Sequence, residues 1–295
     1  MDRAGADALS MSGTPNLVSA CGVYINSSNA TALHGNGTPT LTASEIDIVG
    51  NYSFAGTLNP DPPSTGVATM ADPLANLRAP SVPAGCDYTG YSVTGGVAVT
   101  LSPGVYCGGI FIGKAVATFS PGTYILKGGG LSTQNANSHI LGTGVTIYIP
   151  TTRLNSPFDF KATSTVDLTA PTAGSYAGVL VMEDKTLTAG TYSDNFGGGS
   201  GQAFTGIIYA PKSNMNYSGN ASTSAYTIMV TYRLYMVGTS TINSSLPTGT
   251  PSRSQRLWSE GVVESITWKD GGPTLPTTVG RSSRLGYLCY TRRWI

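Results

Sequence analysis

A six-residue motif that occurs twice constrains this chain more than any other feature. Leu101-Ser102-Pro103-Gly104-Val105-Tyr106 returns 18 residues later as Phe119-Ser120-Pro121-Gly122-Thr123-Tyr124. Each copy follows an alternating run, Val97-Ala98-Val99-Thr100 and Ala115-Val116-Ala117-Thr118, and each leads into a glycine cluster, Gly108-Gly109 and Gly128-Gly129-Gly130. A weaker third copy, Leu141-Gly142-Thr143-Gly144-Val145-Thr146-Ile147-Tyr148-Ile149, places Ile147 22 residues after Ile125. Further apolar runs follow at Val166-Asp167-Leu168, Ala177–Met182 and Phe204–Tyr209. A unit this short cannot bury its own apolar face and must stack on copies of itself. Pro presets φ for a turn and the Gly after it accepts positive φ, so Pro-Gly supplies the corner. The repeat therefore predicts an all-β fold, a parallel β-helix (solenoid). Val99 should lie beside Ala117, and Tyr106 near Tyr124, on strands about 4.8 Å apart. An antiparallel β-sandwich, whose turns recur at similar intervals, is the alternative.

The repeat divides the chain. Residues 1–58 read as an N-terminal β segment and 59–84 as a Pro-rich surface excursion or linker. Residues 85–250 carry the solenoid repeats, and 251–295 form an irregular tail. The only helical signal is Asp72-Pro73-Leu74-Ala75-Asn76-Leu77, with an Asp cap, Pro at the first position and two leucines three apart. The tail holds all three tryptophans and seven of the 16 Lys and Arg residues, without repeat or alternation. It reads as a basic aromatic arm, an irregular terminal cap, or sequence outside the domain.

Charge is scarce: 11% of residues are ionisable Asp, Glu, Lys or Arg, against about 25% in ordinary soluble proteins. Ser, Thr and Asn solvate the surface instead, as in extracellular β proteins. The net charge of +1, with no basic stripe in the first 250 residues, argues against nucleic acid as a partner. No apolar stretch reaches the length of a membrane span. The first residues lack a signal-peptide core, so an exported body implies an upstream segment or a start assigned late, and a membrane is contacted only through such a segment. The cysteines, Cys21, Cys86, Cys107 and Cys289, form no Cys-x-x-Cys pair, and neither His34 nor His139 is near one in sequence. No metal site or cofactor is expected. Cys86 and Cys107 lie 21 residues apart, about one coil, and are the candidate disulfide; two buried free thiols are the alternative.

No motif for catalysis emerges, although β-helices also carry polysaccharide lyases and glycoside hydrolases. An inverting hydrolase needs two carboxylates facing each other across the substrate. The candidates are Asp159, Asp167, Glu183, Asp184 and Asp194, with Arg153 as the basic partner for a lyase. Glu183-Asp184 follows the run Val179-Leu180-Val181-Met182 and reads more simply as a charged loop at a strand end. His139 sits in the polar corner Asn135-Ala136-Asn137-Ser138-His139, and no nucleophile elbow accompanies it or His34. Gly197-Gly198-Gly199-Ser200-Gly201 lacks the lysine of a phosphate loop and reads as a flexible turn. The Asn-x-Ser/Thr sequons, from Asn26 to Asn243, are as common as the composition dictates.

Several segments together resemble the C-terminal exported region of TadG-like proteins of the Tad (tight adherence, Flp) pilus system. They are Asp7–Gly13, Cys21–Ser28, Ala71-Asp72-Pro73-Leu74, Gly85-Cys86-Asp87-Tyr88, Leu101–Gly109 and Gly142–Tyr148, spread over residues 7–250. The resemblance implies a non-catalytic structural or adhesive module of a bacterial envelope, outside the cytoplasm. Its partners would be envelope or pilus-assembly proteins and surface glycans. Where such proteins carry a cysteine to partner the one at Cys21, this chain has Asp47, so no Cys21 disulfide is expected.

Overall fold

The computed structural model describes residues 1–134, 137–150, 158–161, 164–197, 201–224 and 227–244, with two short strands at Thr267–Lys269 and Gly272–Thr274. The described chain is all-β. Its strands pair parallel throughout, except that Thr267–Lys269 meets Gly272–Thr274 antiparallel. From Tyr88 to Ser244 the strands recur in a three-part order, so each pairs with the strand one period later and three rows build up. The first row includes Gly122–Lys127, Val145–Ile149 and Val179–Glu183. The second includes Leu131–Thr133, Phe158–Phe160 and Tyr192–Phe196. The third includes Ala98–Leu101, Val116–Phe119, His139–Thr143 and Thr165–Thr169. Strands Gly104–Gly113, Gly201–Tyr217 and Thr227–Gly238 turn corners and serve more than one row.

Third-row strands show why this sequence forms them. Val116–Phe119 and Thr165–Thr169 alternate buried and open residues, the pleat expected of a sheet with one wet face. Val99 pairs with Ala117 and Leu101 with Phe119, at the repeat's own spacing. On the first row the register departs from the repeat: Val105 pairs with Ile125, a step of 20, because two more residues enter the second corner. Tyr106 therefore lies opposite Leu126, although its ring remains 5.9 Å from that of Tyr124. The corners stack Pro103 beneath Gly122, where a Cβ would strike the proline ring. In the third copy Ile125 pairs with Tyr148 and Tyr124 with Ile147, one residue off the spacing read from sequence. That slip exchanges faces: Tyr124 and Ile147 enter the main core, while Ile125 and Tyr148 join a second cluster.

The order of the rungs does not follow the order of the chain. Leu9–Gly13 pairs with Thr227–Gly238 (Leu9 opposite Leu234, Ser12 opposite Val237), and Asn16–Ser19 pairs with Thr241–Ser244. The N-terminal strands thus lie on the edge left by the last strands of the repeat region. Leu33–Gly37 and Thr40–Thr42 stack next, then Tyr52–Phe54 and Thr57–Asn59. Residues 1–58 and 85–244 consequently share one sheet and one core. The edge that a cap following Ser244 would cover is already held by Asn16–Ser19. Apart from the two short strands, the readings of residues 251–295 lie outside the described residues.

The Pro-rich segment joins the two ends of this stack. It leaves the N-terminal rungs, where Asn26 exchanges hydrogen bonds with Met70. It then passes Tyr209 at Asp72 and Lys185 at Leu74–Leu77. Finally it passes Tyr176 at Arg78 and Lys127 at Ala84. It is a strap laid down the outside of the first row. The helix expected at Asp72–Leu77 is not formed. The Asp72 carboxylate accepts from Leu74 N–H, and Leu77 N–H reaches the Leu74 carbonyl, giving turns only. The Leu74 and Leu77 carbonyls also receive the Lys185 ammonium.

Cys86 and Cys107 are disulfide-bonded, with Cα atoms 5.7 Å apart, and so pin the strap's far end to the first row. Cys21 is also disulfide-bonded, which corrects the expectation drawn from Asp47. Asp47 is buried in Ile46–Ile48, opposite Tyr24.

Candidate functional site

The densest chemistry lies where the strap crosses the first row. Val145–Ile149 and Val179–Glu183 are buried on both faces, so their outward side chains need a cover. Val105, Ile125, Tyr148, Val179, Met182, Ile207 and Tyr209 form that outer cluster, with Leu74 and Leu77 of the strap packed against it. Its polar edge ties the strap down. The Tyr209 hydroxyl donates to Asp72 at 2.5 Å, and the Lys185 ammonium donates to the Leu74, Ala75 and Leu77 carbonyls at 2.5–2.9 Å. The Tyr148 hydroxyl donates to Asp184 at 2.6 Å, and Thr186 donates to the same carboxylate through its N–H and its hydroxyl.

Titration follows these contacts. Burial, then the Asp72 carboxylate, pushes the Tyr209 hydroxyl well above its ordinary range. Burial and Asp184 do the same to Tyr148. For Asp184, burial opposes ionisation, but hydrogen bonds from Thr186 and Tyr148 outweigh it and hold the carboxyl below its usual value. Burial lowers Lys185, against the raising influence of Asp72 and Asp184. These groups are engaged with one another, and their arrangement is that of a fastening.

The five carboxylates considered for catalysis are dispersed. Glu183 is fully buried at the end of its strand, accepting from the Ser213 hydroxyl and the Lys212 N–H. Asp184, next in sequence, faces outward toward the strap side. Asp194 is buried within the second row and accepts from Phe158 N–H. Asp159 is in the same row but points outward, 2.7 Å from Lys161. Asp167 is exposed on the third row, opposite Leu141 and Ala203. Arg153 and most of the Gly197–Gly201 turn lie outside the described residues. His139 begins a third-row strand instead of occupying a corner. His34, on the second row, sits 3.2 Å from Asp7.

Two outward surfaces remain. On the third row the registers align Ala98, Val116, His139, Thr165 and Gly201 in one column, and Thr100, Thr118, Leu141, Asp167 and Ala203 in the next. The N-terminal rungs extend these columns with Asn16, Thr40 and Thr57, and with Val18, Thr42 and Asn59. On the second row Ser132, Asp159, Asn195, Asn216, Tyr235, Ser10, His34 and Ser53 follow one another rung by rung. Asn216 there donates to Asn195 at 3.1 Å. A groove opens where the first row turns into the second, lined by Gly90, Gly108, Gly109, Gly130, Tyr91 and Phe111. The strap contacts were missed by sequence reasoning. Their signal was present in the near-continuous apolar runs Val145–Ile149, interrupted only by Thr146, and Val179–Met182, which a covered outer face permits. Among the described residues no group of three or more His, Cys, Asp or Glu side chains is placed to hold a metal ion, and no helix is long and apolar enough to cross a membrane. Compared with known proteins, the chain matches no family model, no curated protein and no solved structure.

Proposed function

We propose that this chain is a structural or adhesive module that acts outside the cytoplasm as part of a bacterial envelope or TadG-like pilus-assembly protein. In this reading it is a parallel β-solenoid with an interrupted stack. Envelope proteins and surface glycans are its partners, and it performs no catalysis. The observation that carries the reading is the outward column of the second row, from Ser132 through Asn195 and Asn216 to Ser53, in which polar side chains follow one another rung by rung, beside the threonines Thr100, Thr118 and Thr165 of the third row. A carbohydrate chain or a neighbouring subunit meets there a rigid array of hydrogen-bond donors and acceptors whose ordering entropy is already spent. The disulfide between Cys86 and Cys107 is compatible with an oxidising compartment. The scattering of the five carboxylates over different rows and faces supports the non-catalytic part.

The test is to pass a panel of envelope and host polysaccharides over immobilised protein while assaying the same mixtures for chain cleavage. Retention without new reducing ends or unsaturated products is expected. Thr118→Lys on the third-row column should weaken retention about tenfold, the equivalent of one good contact. Cleavage that disappears in Asp184→Asn or Glu183→Gln would overturn the reading in favour of a carbohydrate-active enzyme.

A further inference from the structure

The two ends of the stack complement each other. One end is formed by Tyr52–Phe54 and Thr57–Asn59, the other by Tyr88–Thr94 and Ala98–Leu101. Among the described residues no strand pairs with the outer edge of any of them. At each end the interior columns finish in half-covered apolar side chains: Tyr52 and Phe54 at one, Tyr88, Tyr91 and Val99 at the other. The columns are continuous between them. Tyr91 leads through Ile110 and Leu131 to Phe158, and at the far end Leu234, Leu9, Leu33 and Tyr52 lie in line. Such edges attract further strands unless something blocks them, and here neither lysine nor proline interrupts the strands at either end.

The phase of the backbone hydrogen bonds also matches. At one end Thr57 N–H donates to the Pro39 carbonyl and Asn59 C=O accepts from Ala43. Residues 57 and 59 therefore face into the stack, and Leu58 turns its N–H and C=O outward from the edge. At the other end Val97 C=O accepts from Val116 and Leu101 C=O accepts from Ser120. Residues 97, 99 and 101 face inward, and Ala98 and Thr100 turn their groups to the open edge. A parallel ladder needs one residue on one strand bonded to the two residues flanking its partner on the other. Leu58 against Val99 satisfies this, with Leu58 N–H donating to Ala98 C=O and Thr100 N–H donating to Leu58 C=O. On the second row, with two more residues in the corner before Val99 than before Leu58, Tyr52 can lie over Tyr91, Ser53 over Ser92 and Phe54 over Val93, so apolar meets apolar and hydroxyl meets hydroxyl.

From this we infer that the chain associates with copies of itself head to tail, the Thr57–Asn59 end of one molecule extending the Ala98–Leu101 end of the next. The contact is heterologous and the rows run straight through it, so the product is an open rod, not a closed dimer. Nothing in the inference depends on the pilus reading.

Sedimentation velocity and negative-stain microscopy of the full chain, from micromolar to submillimolar concentration, test it. Wild type should form rods that lengthen with concentration. Thr100→Pro removes an N–H that faces the open edge and leaves the pairing of Val99 and Leu101 intact. It should weaken association about ten- to a hundredfold, the effect of one backbone acceptor left unmet, with an unchanged circular dichroism spectrum. Its other end stays competent, so a substoichiometric amount mixed with wild type should shorten the rods. Ala98→Lys/Thr100→Lys gives the same answer by charge if the proline variant misfolds. A wild type that stays monomeric throughout, or oligomers that persist in both variants, would overturn the inference. A loss of glycan retention without a change in sedimentation would count against the proposed function alone.

Discussion

Individual tyrosines carry much of the polar burden of this charge-poor core. Tyr106, Tyr124, Tyr148 and Tyr209 are all fully buried in their side chains. Each hydroxyl has an acceptor: the Ser102 carbonyl, the Leu101 and Ser120 carbonyls, Asp184 and Asp72, respectively. Burial, the largest cause in every case, raises all four, Tyr124 to about 12 and the others further. A folded-state pKa above the unfolded value near 10 means that these residues stabilise the fold fully below about pH 10. That stabilisation fades as pH climbs through the folded values. Alkaline unfolding followed by tyrosinate absorbance should therefore begin only above about pH 10. It should be cooperative with loss of the β signal, and Tyr209→Phe should blunt it. Gradual tyrosine ionisation with the sheet intact would contradict these placements. None of the four roles was legible beforehand. Spacing marked Tyr106 and Tyr124 as repeat positions, but their acceptors come from corners whose geometry the repeat does not encode.

Among elements, third-row strands were the easiest to read and the strap the hardest. Val97–Thr100 and Ala115–Thr118 have a clean period of two and one dry face, so alternation located them and the repeat spacing paired them. The first row lost that legibility because both of its faces are covered, which erases alternation, and because an enlarged corner shifted the register by two residues. Residues 59–84 looked like a linker because their side chains are small, prolyl and mostly exposed; their attachments run through backbone carbonyls and single side chains far away in sequence. The disulfide was visible as a spacing of one period, and it is what makes the strap a closed element. Removing the Cys86–Cys107 bond should lower stability by roughly 3 kcal/mol, the chain-entropy value for a loop of this length. The Cys86→Ser/Cys107→Ser variant, which keeps the Cys21 disulfide, should show that loss against wild type in a denaturant titration without reductant. Equal stability of variant and wild type would show that the strap is fixed by its other contacts alone.

At the scale of the whole molecule, the repeat foretold stacking but not the order of the stack. A repeat detects neighbours one period apart in sequence. Leu9–Gly13 and Thr227–Gly238 are more than two hundred residues apart, and the Leu-x-Met-x-Gly pattern they share, Leu9-Ser10-Met11-Ser12-Gly13 and Leu234-Tyr235-Met236-Val237-Gly238, lies outside the Ser-Pro-Gly repeat; their inward faces, Leu9 and Met11 against Leu234 and Met236, bring them together. Closing the chain this way covers the edge after the last repeat strands with its own N-terminal rungs, held also by the Asp2–Arg233 ion pair at 2.5 Å. The carboxylates read as catalytic candidates were real acidic positions, but sequence adjacency, as in Glu183-Asp184, cannot tell which face of a strand end each one takes. Cysteines placed at opposing outward positions on neighbouring parallel strands fall within disulfide reach. Ser12→Cys/Val237→Cys, oxidised in dilute solution beside a Thr100→Cys/Thr118→Cys control, should crosslink within one molecule as completely as the control. A control that closes while the 12–237 pair stays reduced, or bridges only between molecules, would contradict the account.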